Sequence, residues 1–199
     1  MSVFVKICGL RDAECIAAAV HAGADAIGFV FAESVRKISA QEARDLARDI
    51  PAGVQKVAVM HHPSNEEWQK VCTVFEPDVL QTDVGDYASL EVPASILIWP
   101  VVREGTDAVN DTLPETFVYE GITSGAGATI DWSLAQVVSG RGRMILAGGL
   151  DPANVTAAIR ATQPWGVDVS SGVESSRGKK DVELIRNFIG AVRAVENDQ

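Results

Sequence analysis

A chain of 199 residues with 47 % hydrophobic and 22 % charged residues can bury one sizeable core and lacks the signature of disorder, so a single domain spanning 1–199 is expected. A net charge of −10 repels nucleic acid and anionic membranes, and no apolar run approaches the roughly 18 residues of a bilayer span, nor does a basic, signal-like leader open the chain. Three cysteines, Cys8, Cys15 and Cys72, without C-x-x-C spacing argue against a disulfide framework or structural zinc, and the expected location is cytoplasmic.

Along the chain, short Val/Ile-rich runs alternate with segments of helical period. The first strand is predicted at 3–8 (VFVKIC), where it ends on Cys8 and Gly9. Ala13, Ile16, Ala17 and Val20 then keep the i, i+3, i+4, i+7 spacing of a helix. Further strands are predicted at 26–31, 55–60, 79–82, 96–101, 116–120, 143–147 and 166–170. Helical spacing recurs at Ala43, Leu46, Ala47 and Ile50, and again at Trp68, Val71, Cys72 and Phe75. After the fifth strand, "GTDAVNDTLP" is weakly patterned, and a short or irregular element is expected there. Asp151 and Pro152 predict a helix start before Val155, Ala158 and Ile159. Val182, Ile185, Ile189 and Val192 predict the last helix. Eight βα units in one unbroken array fit a small (β/α)₈ barrel better than an open doubly wound sheet.

In such a barrel, ligands bind at the carboxyl ends of the strands, so the residues just after each run carry the chemistry. Gly148 and Gly149 precede a helix, and Ser170, Ser171 and Gly172 follow the neighbouring strand. Backbone N–H groups in these two loops can cradle a phosphate dianion. Asp131 follows the flexible stretch containing Gly125 and Gly127. It reads either as a helix cap or as a carboxyl group at the catalytic rim. Cys8 reads either as a small core residue or, at a strand end before glycine, as a functional thiol. Arg36 offers a bidentate clamp for a carboxylate. His61 and His62 invite a metal reading, but with no carboxylate at comparable spacing the site is incomplete, and no metal is expected.

These residues lie in motifs that together resemble phosphoribosylanthranilate isomerases: "KICGL", "SVRKIS", "SGAGATIDW", "LAGGLDPANVTAAI" and "GVDVSSGVESSRGKKD". The resemblance implies a cofactor-free Amadori rearrangement in tryptophan biosynthesis, acting on a phosphorylated small molecule. It implies Cys8 as general base and Asp131 as general acid, and an Arg36 that receives the anthranilate carboxylate. Asp168 matches a family aspartate near the sugar, Gln81 is retained from the family's run after the fourth strand and is taken as substrate-binding, and Gly127 belongs to the loop after the sixth strand. The acid is expected to be held near neutrality in a partly dry pocket. A free thiol with a pKa of about 8.5 is only ~3 % thiolate at pH 7, so some group should favour the charged form of Cys8, although Lys6 is not expected to be that group. Three stretches depart from the family pattern: "VMHHPS" after the third strand, "LQTDVGD" after the fourth, and "GAGAT" after the sixth with Glu120 where aspartate is common. The nearest alternative, the related isomerase of histidine biosynthesis, normally has aspartate on the first strand and two phosphate sites. A phosphosugar-binding module without catalysis is the other alternative. A monomer is expected, with a homodimer as the alternative state.

Overall fold

Eight parallel strands pair in chain order and close on themselves in the computed structural model, which describes residues 2–105, 113–121 and 131–197. They are β1 (Phe4–Cys8), β2 (Ala26–Val30), β3 (Gln55–Val59), β4 (Val79–Asp83), β5 (Leu97–Arg103), β6 (Thr116–Glu120), β7 (Arg143–Leu146) and β8 (Gly166–Val169), and β1 pairs with β8 to seal the barrel. The connecting helices are α1 (Ala13–Ala22), α2 (Ala40–Leu46), α3 (Asn65–Phe75), α4 (Trp132–Ser139), α5 (Val155–Thr162) and α6 (Val182–Asn197). After β4 the crossover is a 3₁₀ segment, Val84–Ser89. The expected irregular element after β5 and the Gly125/Gly127 loop fall mainly outside the described residues. No helix among those described is long and apolar enough to cross a membrane.

Strand alternation sorts the side chains into two cores. Inside the barrel, Val57, Val79, Trp99, Val118 and Ile145 pack together. Phe4, stacked on Trp165 at 4.5 Å and edge-on to Trp99 at 5.6 Å, closes the amino-terminal end. On the outer face, Ile7, Phe29, Leu80, Phe117 and Leu146 meet Trp68 and Phe75 of α3 and Ile185, Phe188 and Ile189 of α6. Polar starts fix the helices against this shell: Asp12 accepts from the Cys15 N–H, while Ser39 with Glu42 and Ser64 with Glu67 form capping boxes. Each cap is worth about 1 kcal/mol.

Three local differences from the sequence pattern matter for the site. Strands β4 and β5 run on to Asp83 and Arg103, because parallel pairing continues past the apolar run and puts Asp83 opposite Val101 and Arg103 opposite Glu120. Helix α5 starts at Val155, not at Pro152. Asp151 Oδ1 instead accepts from the N–H groups of Ala153 and Asn154, closing a turn ahead of the helix. After β8 the chain makes a small hairpin, β9 (Glu174–Ser176) with β10 (Lys179–Lys180), which carries no apolar alternation and escapes pattern reading.

Candidate active site

Every second residue near the carboxyl ends of the strands faces a cavity of about 720 Å³, whose wall includes Cys8, Arg36, His61, Gln81, Asp83, Arg103, Glu120, Asp168 and Ser170. Hydrophobic packing fills the barrel below it. These polar groups therefore cluster at one end only.

Cys8 sits at the end of β1, 7 % exposed. Gly9 follows in the left-handed region at φ 76°, and a Cβ there would come within 2.8 Å of Arg36 Cδ. The Cys-Gly pair thus ends the strand, turns the chain, and lets Arg36 cross over the turn. Lys6, two residues earlier on the same face, has no solvent exposure, and its Nζ donates to Asp168 Oδ1 at 3.0 Å. The register explains the meeting, since Lys6 is opposite Asp168 across the β1/β8 seam. Gly28 on β2 makes room: a Cβ would lie 3.0 Å from Cys8 Sγ and 3.1 Å from Lys6 Cε. Burial pushes the Cys8 thiol up, and the Lys6 ammonium opposes this both by charge and by hydrogen bonding. Burial also works to lower the Lys6 pKa, but Asp168 and Cys8 outweigh it and leave that pKa raised. Lys6 therefore does bear on Cys8, contrary to the sequence expectation, because alternation and a side-chain-free Gly28 put both on the inner face.

Arg36 is 8 % exposed and reaches the cavity from the β2–α2 loop. Its Nε donates to Glu174 Oε1 at 2.6 Å and its Nη2 to Glu174 Oε2 at 3.0 Å. Two of the five guanidinium N–H donors are thereby spent. Lys180 Nζ donates to Glu174 Oε1 at 2.9 Å and to the Ser170 carbonyl at 2.8 Å. Burial works upward on Glu174, but Arg36, the Gly178 N–H and Lys180 bring its pKa down to about 2. The β9–β10 hairpin therefore clamps Arg36 and the β8 loop into one ion-pair network.

The two loops expected to cradle phosphate are adjacent. Gly148 and Gly149 both have positive φ, 94° and 63°, which a side chain would strain. Asn154 Nδ2 holds the Gly149 carbonyl at 2.8 Å. Ser170 Oγ donates to the Cys8 carbonyl at 3.2 Å, and Ser171–Val173 form a 3₁₀ turn. A Cβ on Gly172 would fall 1.9 Å from the Leu150 carbonyl. Close packing of the two loops on each other therefore requires glycine at that position.

Asp131 lies elsewhere and differently. It is exposed and is the N-cap of α4, its Oδ1 accepting from the Ser133 N–H at 2.8 Å and from the Ser133 hydroxyl at 2.6 Å. Those hydrogen bonds lower its pKa below the ordinary carboxylate value. Asp131 does not line the described cavity wall. The expectation of a carboxyl group held near neutrality in a dry pocket is corrected: an exposed cap oxygen receiving two donors is stabilised as the anion. Gly127 lies outside the described residues.

On the opposite wall, β3, β4 and β5 deliver a second polar group. Arg103 pairs with Asp83 through Nε–Oδ1 at 2.7 Å and Nη2–Oδ2 at 3.1 Å, and its Nη1 is 3.8 Å from Glu120 Oε2. His61 Nε2 is 3.5 Å from Asp83 Oδ2. The missing carboxylate beside the histidines is thus supplied from the next strand. Gln81 is 4 % exposed, and its Oε1 is buried with no hydrogen-bond partner among the described residues. A buried acceptor of this kind on a cavity wall is a place for a ligand donor.

Pattern reading missed Lys6, Glu174, Lys180, Asp83 and Arg103. For Lys6, the i, i+2 spacing from Cys8 was the available signal. Glu174 and Lys180 were visible inside "SSGVESSRGKKD", but their partners are far away in sequence.

A family model described as N-(5'-phosphoribosyl)anthranilate (PRA) isomerase matches residues 5–191. A Listeria monocytogenes protein named N-(5'-phosphoribosyl)anthranilate isomerase is 39 % identical over 208 residues, covering 98 % of this chain and 100 % of its own. The crystal structure of phosphoribosyl anthranilate isomerase from Thermotoga maritima has a TM-score of 0.82 at 34 % identity, covering 96 % of this chain and 99 % of that one. A structure of phosphoribosyl anthranilate isomerase in complex with reduced 1-(o-carboxyphenylamino)-1-deoxyribulose 5-phosphate has a TM-score of 0.78 at 33 % identity, with the same coverage.

Proposed function

The chain belongs to the N-(5'-phosphoribosyl)anthranilate isomerase family, and on that premise we propose how its residues divide the Amadori rearrangement of tryptophan biosynthesis. The substrate is N-(5-phosphoribosyl)anthranilate and the product is 1-(2-carboxyphenylamino)-1-deoxyribulose 5-phosphate. Asp131 delivers a proton to the ribose ring oxygen as the C1–O bond breaks, and the anthranilate nitrogen supplies the electron pair that forms a protonated C1=N Schiff base. The Cys8 thiolate removes the hydrogen on C2, and that electron pair flows towards nitrogen to give the enolamine. Ketonisation returns a proton to C1 and leaves C2 as the ketone. C1 is reduced and C2 oxidised within one molecule, so the step balances without an external oxidant. Acid and base each contribute roughly 10²- to 10⁴-fold.

The observation that carries the reading is the position of Cys8: at a strand end, on a cavity wall, with Lys6 beside it to favour a thiolate and Asp168 holding Lys6. Arg36, moored on Glu174, keeps three N–H donors for the anthranilate carboxylate. Gln81 supplies its unpartnered Oε1 to a substrate donor. Gly148, Gly149, Ser170, Ser171 and Gly172 take the phosphate through backbone N–H groups, in keeping with the phosphate site after strands seven and eight of many such barrels. The chain acts as a monomer on this reading, with a homodimer as the alternative state.

Asp131 bears on the mechanism through a change of state. The cap bonds from Ser133 favour its anion, so substrate binding must release or desolvate it before it can act as an acid. The test is direct: purified protein is mixed with freshly made phosphoribosylanthranilate and the loss of substrate fluorescence is followed, with the histidine-pathway substrate in parallel. Catalysed loss of the first substrate and none of the second is expected. Binding of the reduced product analogue without any turnover would reduce the protein to a phosphosugar-binding module.

A further inference from the structure

We propose that His61, His62 and Asp83 form a binding site for a divalent transition metal of the zinc class on the rim of the cavity, independently of the catalytic assignments above. His61 and His62 follow β3 and Asp83 ends β4, so the parallel pairing of these neighbouring strands brings together groups separated by about twenty positions in the chain. One ring nitrogen of His61, one of His62 and a carboxylate oxygen of Asp83 lie within 4.8 Å of one another. Asp83 Oδ2 is 3.5 Å from His61 Nε2 and 4.0 Å from His62 Nε2. Ligands bound at about 2.0–2.1 Å around a tetrahedral ion stand about 3.3 Å apart. Small side-chain rotations therefore close the set, and both imidazoles are exposed enough to make them.

A further carboxylate prepares one ligand. His62 Nδ1 is 2.8 Å from Asp86 Oδ1, and the His62 backbone N–H donates to Asp86 Oδ2 at 3.1 Å. Asp86 is itself held by the Thr82 hydroxyl at 2.5 Å. With its Nδ1–H donated to Asp86, the His62 ring presents the Nε2 lone pair towards Asp83, the carboxylate–histidine arrangement that orients metal ligands. His62 adopts this pose at a φ of 47°, uncommon for a non-glycine residue. Arg103 donates to both Asp83 oxygens. A carboxylate accepts about four hydrogen bonds, so Oδ2 keeps a lone pair for the ion. The charges of Asp83 and Asp86 offset the cation on Arg103. Two imidazoles and one carboxylate suit zinc, cobalt or nickel rather than magnesium or calcium. Because His61 and Asp83 line the cavity, an ion there stands on the wall that the substrate faces.

The test titrates the full chain with Zn²⁺ by calorimetry and with Co²⁺ by visible absorption. One ion per chain is expected, with no intense thiolate charge-transfer band. His61→Ala and His62→Ala should each weaken binding at least tenfold, and Asp86→Asn by roughly 10- to 100-fold. Circular dichroism should stay unchanged, as both histidines are exposed. Absence of saturable uptake, uptake that survives the His61→Ala/His62→Ala double substitution, or a cobalt spectrum dominated by thiolate would each overturn the proposal.

Discussion

Cys8 and Asp131, the two proton carriers proposed for one reaction, sit in opposite physical surroundings. Around Cys8 the groups are buried and mutually bonded: Lys6 on Asp168, Arg36 on Glu174, Lys180 on Glu174 and on the Ser170 carbonyl. Around Asp131 the bonds are exposed: its carboxylate accepts from the N–H and hydroxyl of Ser133, and its own backbone N–H donates to Glu104 Oε1 at 2.8 Å. Burial raises the first group's pKa above its ordinary value, whereas the bonds from Ser133 lower the second below its own. The two shifts run apart, so the pair poised for reaction, thiolate with carboxylic acid, is a minor form of the empty enzyme. The substrate must therefore close this gap, by bringing positive character to Cys8 through the Schiff base and by drying Asp131. On the proposed mechanism the Cys8 corner is ready-made in geometry, and Asp131 becomes an acid only in the complex.

The strongest way to break this comparison is to remove each carrier. Cys8→Ala and Asp131→Ala should each lower turnover roughly 10²- to 10⁴-fold with little change in KM. If Asp131→Ala keeps near-normal turnover in the fluorescence assay, that carboxylate is a helix cap and nothing more.

Glu174→Gln tests whether the Cys8 corner is held by its ion-pair network. Leaving Arg36 and Lys180 buried without their shared anion should cost about 3–5 kcal/mol of stability, read as a lower urea midpoint, and loosening Arg36 should raise KM. The folded-state pKa of Glu174, about 2, lies below its ordinary 4.5. Its stabilisation is thus fully present above about pH 4.5 and is lost as pH falls towards 2. Wild type should lose stability across that window by more than Glu174→Gln does.

The pH dependence of kcat/KM sharpens the comparison further. Where one group must be protonated and the other ionised, and the acid has the lower pKa, the reactive fraction is constant between the two values. Relative to wild type, the residual kcat/KM of Asp131→Ala should rise about tenfold per pH unit through neutrality, because only the thiolate remains to be formed. The residual kcat/KM of Cys8→Ala should fall in the same ratio. Parallel profiles in all three proteins would show that these groups do not titrate in the reaction. The smallest effect belongs to Ser133→Ala. Losing the hydroxyl donor should move the Asp131 pKa up towards its ordinary value, measurable by carboxylate NMR. The cost in stability should be small, because the cap bond from the Ser133 backbone N–H survives the substitution.

The barrel was legible from the sequence because its strands are apolar runs separated by helices of clear period, and each of the eight predicted runs overlaps an observed strand. Cys8, Arg36, Gln81 and the two glycine–serine loops were legible as rim positions for the same reason. Lys6 and Asp168 were not legible as a pair, since they are 162 positions apart and meet only where the last strand closes on the first. Glu174 and Lys180 are adjacent in space to Arg36 through a hairpin whose polar residues have no period to read.

The sequence by itself determined which residues stand at the carboxyl ends of eight strands, because alternation and helical period are local properties of the chain. Only the tertiary structure decided what those residues feel. Burial turned Lys6 towards Cys8, capping made Asp131 an exposed anion, and parallel pairing of β3 with β4 gave His61 and His62 the carboxylate that their own segment lacks. Charge and hydrogen bonding act through space, and the distances that set their strength exist only once the barrel has closed.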